Sequence, residues 1–169
     1  MQYSIREFRD LETARLYALV SDVYTTSDGM SERLEERFPT IESFEQYIGE
    51  LSSRPGAVAL AAETGGELCG YLTIMPRYQA KLSHTSELNM GVHHSSRGKG
   101  VGKLLLKEAL RSATEFGILE IIYLMVRADN DTAIRLYKNT GFEHLATLQH
   151  DTKTPEGYYD GLLMRKFVR

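Results

Sequence analysis

One cysteine, no tryptophan, four prolines and no apolar run long enough to span a bilayer: these shortages remove several protein classes at once. With Cys69 alone, an intrachain disulfide framework and a thiolate metal cluster are both excluded, which fits a reducing, intracellular setting. Charged residues follow soon after Met1-Gln2-Tyr3-Ser4-Ile5-Arg6 where a signal peptide would place an apolar stretch, so a soluble, cytoplasmic protein without membrane contact is expected. An excess of charge is lacking too. Twenty Lys and Arg against 23 Asp and Glu leave a net charge of -3, too weak a field to recruit nucleic acid, and the aromatic residues form no stacking stripe among basic ones. Any anion this chain binds must therefore be held by a local site.

What is present suits a single domain over residues 1–169, since 42% apolar residues suffice for a core at this length. Tyr3 to Arg6 reads as a short strand. Asp10 reads as the cap of a helix carrying Leu11, Ala14, Leu16, Ala18, Leu19 and Val20. Residues 31–37 surround Leu34 with charge, which predicts a short exposed helix or ordered loop and a candidate lid. Thr40 is placed to cap a helix that buries Phe44, Tyr47, Ile48 and Leu51 and ends at Pro55-Gly56. Two strand-like runs, 58–62 and 68–74, are joined at Thr64-Gly65-Gly66, a hairpin signal. His84 to Val92 alternates, with Leu88, Met90 and Val92 on one face and Glu87, Asn89 and Gly91 on the other. A long amphipathic helix spans Gly100 to Phe116 and ends at Gly117. After it come a buried strand at 121–126, a short helix around Ala133 to Tyr137, and a terminal strand pair, 143–151 and 158–167, joined by a turn-rich 151–157. One mixed α/β sheet with helices on its faces accounts for this order.

The chemistry concentrates in His93-His94-Ser95-Ser96-Arg97-Gly98-Lys99-Gly100-Val101-Gly102, which joins a strand to the longest helix. Glycines let amides approach a ligand closely, and consecutive amides entering a helix N-terminus form a concave anion site that fits a diphosphate. The competing motifs fail on spacing. A mononucleotide loop needs four residues between its first glycine and a Gly-Lys pair followed by Ser or Thr; Gly98 and Gly102 enclose three, and Leu104 follows Lys103. A dinucleotide fingerprint starting at Gly98-x-Gly100 meets its third glycine one residue early. Lys99 and Lys103 oppose the helix dipole unless an anion shares the site. Lys107 and Arg111 read as the solvent side of the same edge. His84, His93 and His94 do not form a metal set: adjacent histidines splay apart in a strand, and no well-spaced carboxylate completes them.

The strand Leu88 to Val92 followed by Arg97-x-x-Gly100-x-Gly102, and then Ala128-x-Asn130-x-x-Ala133-x-x-x-Tyr137-x-x-x-Gly141-Phe142, resembles the GCN5-related N-acetyltransferase (GNAT) superfamily. The resemblance implies a mostly antiparallel sheet in which two parallel strands splay around acetyl-coenzyme A. It implies that Met90, Gly91 and Val92 pair with the pantetheine arm, that Arg97, Gly98, Lys99, Gly100, Val101 and Gly102 wrap the pyrophosphate with Lys103 beside them, and that Asn130, Ala133 and Tyr137 meet the arm from the next helix. It assigns Tyr137 as proton donor to the departing thiolate and Glu87 as base for the acceptor amine, roles suited to direct attack on a thioester. Tyr137 has a structural reading as core cover, Glu87 as a surface strand residue, and Asn130 as a helix cap.

The acceptor is open at this point. Tyr24, Tyr158 and Tyr159 are candidates to line its pocket, with Glu32 or Asp160 to attract an amine. A small-molecule amine is the leading expectation. A protein N-terminus or lysine and a non-catalytic acyl-coenzyme A sensor are the alternatives, and a homodimer is compatible with the family likeness.

Overall fold

A computed structural model describes all of residues 1–169. Seven strands form one sheet in the order β1-β2-β3-β4-β5-β7-β6: β1 Ser4–Glu7, β2 Val58–Thr64, β3 Glu67–Pro76, β4 Thr85–Val92, β5 Ile121–Arg127, β6 Glu143–Thr154 and β7 Gly157–Phe167. Every pairing is antiparallel except β4 with β5. Helices α1 Thr13–Thr26, α2 Leu34–Arg37 and α3 Ile41–Ser53 precede β2, α4 Val101–Phe116 joins β4 to β5, and α5 Asp131–Asn139 follows β5.

The sheet separates two cores. On one face α4 buries Val101, Leu105, Leu106, Ala109 and Ala113 against Leu72, Ile74, Leu88 and Ile122. On the other, α1 and α3 bring Leu16, Val20, Val23 and Phe44 onto Ala61 and Tyr71. The period-2 reading of β4 matches this division: Leu88 and Met90 belong to the α4 side, whereas Gly91 faces α1. Gly91 is where that helix presses closest. A Cβ there would stand 2.5 Å from Val23 Cγ1 and 2.9 Å from Tyr71 Cε1. Gly91→Ala should therefore lower stability by about 1–3 kcal/mol through overpacking, read as a shifted denaturant midpoint at constant slope.

The local signals explain most element ends. Thr40 caps α3, accepting from the Ser43 N–H while Ser43 Oγ accepts from the Thr40 N–H. Gly65 and Gly66, both at positive φ, turn the β2–β3 hairpin, and Gly117 ends α4 in the left-handed region. Two boundaries differ from the sequence reading. Asp10 closes a 3₁₀ turn, Phe8–Asp10, and Glu12 precedes α1 without a side-chain cap. The last hairpin is longer than expected: β6 runs to Thr154 and turns through Pro155-Glu156, because pairing resumes at Thr152↔Tyr159 after a register shift. That shift holds His150 at φ 55, with its N–H donated to Asp160 Oδ1.

Candidate active site

β4 and β5 pair over only three positions, Thr85↔Ile121 to Glu87↔Tyr123. Beyond Glu87, β4 continues to Val92 paired with β3 alone, while β5 continues to Arg127 paired with β7. The strands thus part in the middle of the sheet, leaving the β5-facing backbone groups of Leu88 to Val92 without a strand partner. An extended amide-bearing chain fits such an edge, since main-chain donors and acceptors need partners.

The slot leads to the start of α4. Gly98 and Gly100 stand at φ 74 and 85, a backbone that favours glycine, and open space surrounds both where a Cβ would project. Gly100 is the N-cap and offers no side chain, so the first-turn amides of Val101, Gly102 and Lys103 are left free for an anion. Gly102 has a different reason to be small: a Cβ there would touch Leu136 of α5 at 3.3 Å. The side chains are arranged otherwise than expected. Arg97 donates to Val92 O, Thr26 O and Thr26 Oγ1, tying the loop to the end of α1, and Lys99 Nζ donates to Ser95 O. Lys103 stays exposed, and Arg111 pairs with Glu108 and Glu115 on the solvent face of α4.

Across the slot, Asn130 caps α5 by accepting from the Ala133 N–H, which establishes its capping role. Tyr137 stacks edge-on against Phe142 with 8% of its surface exposed. Its hydroxyl bonds to no protein group, yet no fully buried side-chain polar atom lacks a partner. The hydroxyl oxygen therefore keeps some exposed surface. Burial raises its pKa to about 12, so it keeps its proton at any physiological pH.

On the opposite face, Glu87 and Asn89 are exposed beside the α1–α3 layer. A cavity of about 20 Å³, room for roughly one water, is bordered there by Tyr24, Arg37, Phe38, Tyr47, Thr73 and Asn89, among others. Tyr24 lines it; burial and the neighbouring Glu32 carboxylate push its pKa up to about 12. Glu32 stands 3.7 Å from Arg37. Tyr158 and Tyr159 do not border this cavity: Tyr158 is exposed and packs on His150, while Tyr159 lies under the Arg127 guanidinium at 3.9 Å. Asp160 Oδ1 accepts from the His150 N–H at the β6 bulge. Sequence reasoning missed Arg37, which reads as one charge among many in residues 31–37.

The histidines also depart from expectation. His93 and His94 leave the strand, bring their rings to 4.3 Å and meet Asp22 of α1, 2.8 Å from His94 Nδ1 and 3.4 Å from His93 Nε2. Burial raises the Asp22 carboxyl, but hydrogen bonding to His94 and the charges of both histidines outweigh it, and the net shift is downward from 3.8. A depressed acid contributes stability above its unfolded pKa and loses it as pH falls through the folded value. Wild type should therefore destabilise more steeply than Asp22→Asn on acidification below pH 3.8, measured by denaturant midpoints.

Residues 13–142 match the Acetyltransferase (GNAT) family. The L-amino acid N-acetyltransferase AaaT of Escherichia coli is 28% identical over 137 residues, covering 81% of this chain and 79% of that protein. An N-alpha-acetyltransferase of Sulfurisphaera tokodaii is 34% identical over 104 residues, 56% of this chain and 61% of the relative. A phosphinothricin acetyltransferase of Sinorhizobium meliloti, solved in complex with acetyl-coenzyme A, shares the fold at a TM-score of 0.84 and 20% identity, covering 99% of this chain and 89% of that one. No helix of this chain is long and apolar enough to cross a membrane. The splayed strands, the uncapped helix start and the family match agree: this chain belongs to the GNAT acetyltransferase family.

Proposed function

We propose that this enzyme acetylates the primary amine of a small molecule by direct attack, with Glu87 as base and Tyr137 as acid. Acetyl-coenzyme A supplies an acetyl group activated as a thioester. The free edge of Leu88 to Val92 positions it, and the first-turn amides of α4 hold its pyrophosphate. Glu87, on the α1–α3 face, removes a proton from the acceptor ammonium directly or through water. A backbone amide among Met90 to Val92 donates to the carbonyl oxygen as charge grows there. Tyr137 Oη, on the other face, holds the proton that the leaving sulfur needs. Base and acid thus serve one reaction through the gap between two strands, and no covalent enzyme intermediate is required. Cys69 is buried and takes no part.

Support for the small-molecule reading comes from the aromatic-walled cavity beside Asn89, together with the likeness to the L-amino acid N-acetyltransferase AaaT over 81% of this chain. The likeness to the N-alpha-acetyltransferase of Sulfurisphaera tokodaii favours a second reading, an α-amine at a protein N-terminus. A thiol-release screen of amino acids, polyamines, aminoglycosides and N-terminal peptides, with mass detection of product, separates the two. Acetylation of a free small amine is the expected result; acetylation confined to peptides would replace the first reading with the second.

A further inference from the structure

The acceptor side holds a cation whose hydrogen-bonding capacity is unused. Arg37 lies at the rim of the cavity beside Asn89, its guanidinium 5.3 Å from the Phe38 ring centroid and 5.1 Å from that of Tyr47. Two aromatic rings thus flank the group. Its side chain donates no hydrogen bond to the protein: the nearest carboxylate, Glu32, is 3.7 Å from Nε, beyond hydrogen-bonding distance. Other arginines near the splayed strands are differently placed. Arg97 donates to Thr26 and Val92, and Arg127 to both Asp129 oxygens and to Asp28 O. Arg37 remains 39% exposed, so its fork is open to a solute.

The surroundings choose the solute's charge. A guanidinium fork matches a carboxylate with two parallel hydrogen bonds. Tyr24, protonated and next to Glu32, adds a donor on the same side. Tyr47 and Thr73 satisfy each other, hydroxyl to hydroxyl at 3.0 Å, so they present no unmet polar demand to a ligand. Asn89 lies on the same face of β4 as Glu87, two residues further toward the slot.

Building on the small-amine reading, we infer that Arg37 binds the carboxylate of the acceptor, and that the acceptor class is the free α-amino acid or a close analogue carrying an anion beside its amine. The acceptor carboxylate takes the place of Glu32 at the guanidinium, with Tyr24 as a further donor. Its amine then lies toward Asn89 and the slot, within the reach of Glu87. Glu32 acts as an internal competitor for Arg37 and sets how strongly an acceptor must bind. A peptide N-terminus has no carboxylate at this distance from its amine and leaves Arg37 unpaired.

Matched pairs test this: kcat/KM for a series of L-amino acids, their carboxamides and short peptides, in wild type, Arg37→Gln and Arg37→Lys. Coenzyme A affinity, measured by calorimetry, serves as the check that each variant is folded. Wild type should favour acid over amide by about 100-fold, mainly in KM, because the amide cannot replace the two charge-assisted hydrogen bonds that a carboxylate accepts from the guanidinium. Arg37→Gln should collapse that ratio to about threefold or less, and Arg37→Lys should restore part of it. Equal rates on acid and amide in wild type, or equal losses on both in Arg37→Gln, would overturn the inference and leave the small-amine reading standing. Acetylation of peptides alone would overturn both.

Discussion

Tyr137→Phe should lower kcat for acetyl transfer by about 10²–10³-fold while leaving acetyl-coenzyme A affinity within about twofold. The substitution removes one oxygen. The ring remains edge-on to Phe142, and no protein hydrogen bond is broken, because the hydroxyl has no protein partner. A purely structural tyrosine in this position would tolerate the change with kcat intact. The raised pKa, about 12, adds a second signature: no fall in rate attributable to Tyr137 should occur as pH rises through the neutral range, because the group stays protonated until far above it. The measurement is single-turnover transfer, which isolates the chemical step from product release. An unchanged rate of that step would remove Tyr137 from the mechanism.

Gly100→Val should weaken coenzyme A binding by about tenfold or more and move the thermal midpoint little. At φ 85 an L-residue costs about 1–2 kcal/mol, and a β-branched one more. The loop can relieve that strain only by rotating its peptide units, which turns amides away from the pyrophosphate. A Cβ at Gly100 meets nothing within 4 Å, so the folded protein suffers no clash and the penalty falls on the ligand. Gly91→Ala provides the contrast, since its Cβ meets Val23 and Tyr71 and the damage appears in stability. Calorimetry and thermal melts on the two variants should therefore show opposite patterns.

The same contrast explains what is legible in the sequence. Backbone demands are written locally: the glycines at 98 and 100, Gly65-Gly66 at the hairpin, Thr40 three residues before Ser43, and Asn130 three before Ala133 are each readable because their partner lies within a few residues. The alternation of Leu88 and Met90 with Glu87 and Gly91 names both faces of β4 correctly for the same reason. What stays hidden depends on distant contacts. Asp22 is 72 residues from His94, so nothing in the local run announces that the two histidines leave the strand to meet it. The place of Arg97 in the loop points to phosphate, but its guanidinium is held by Thr26, 71 residues earlier. Arg37 is invisible amid the charges of residues 31–37, because its importance lies in the two rings that hold it and the bonds it does not make. The extra length of β6 is equally hidden, because pairing resumes after an irregularity that no residue pattern declares.

The α1 to α3 layer is therefore the part of this enzyme that the sequence describes least.

A crystal structure of the enzyme with coenzyme A tests the proposed chemistry most directly. The pantetheine arm should run along Leu88 to Val92 in the gap beside β5, with the pyrophosphate on the amides of Val101 to Lys103 and the sulfur within about 3–3.5 Å of Tyr137 Oη. A cofactor bound elsewhere, or a sulfur held away from Tyr137 with another proton donor against it, would contradict this mechanism.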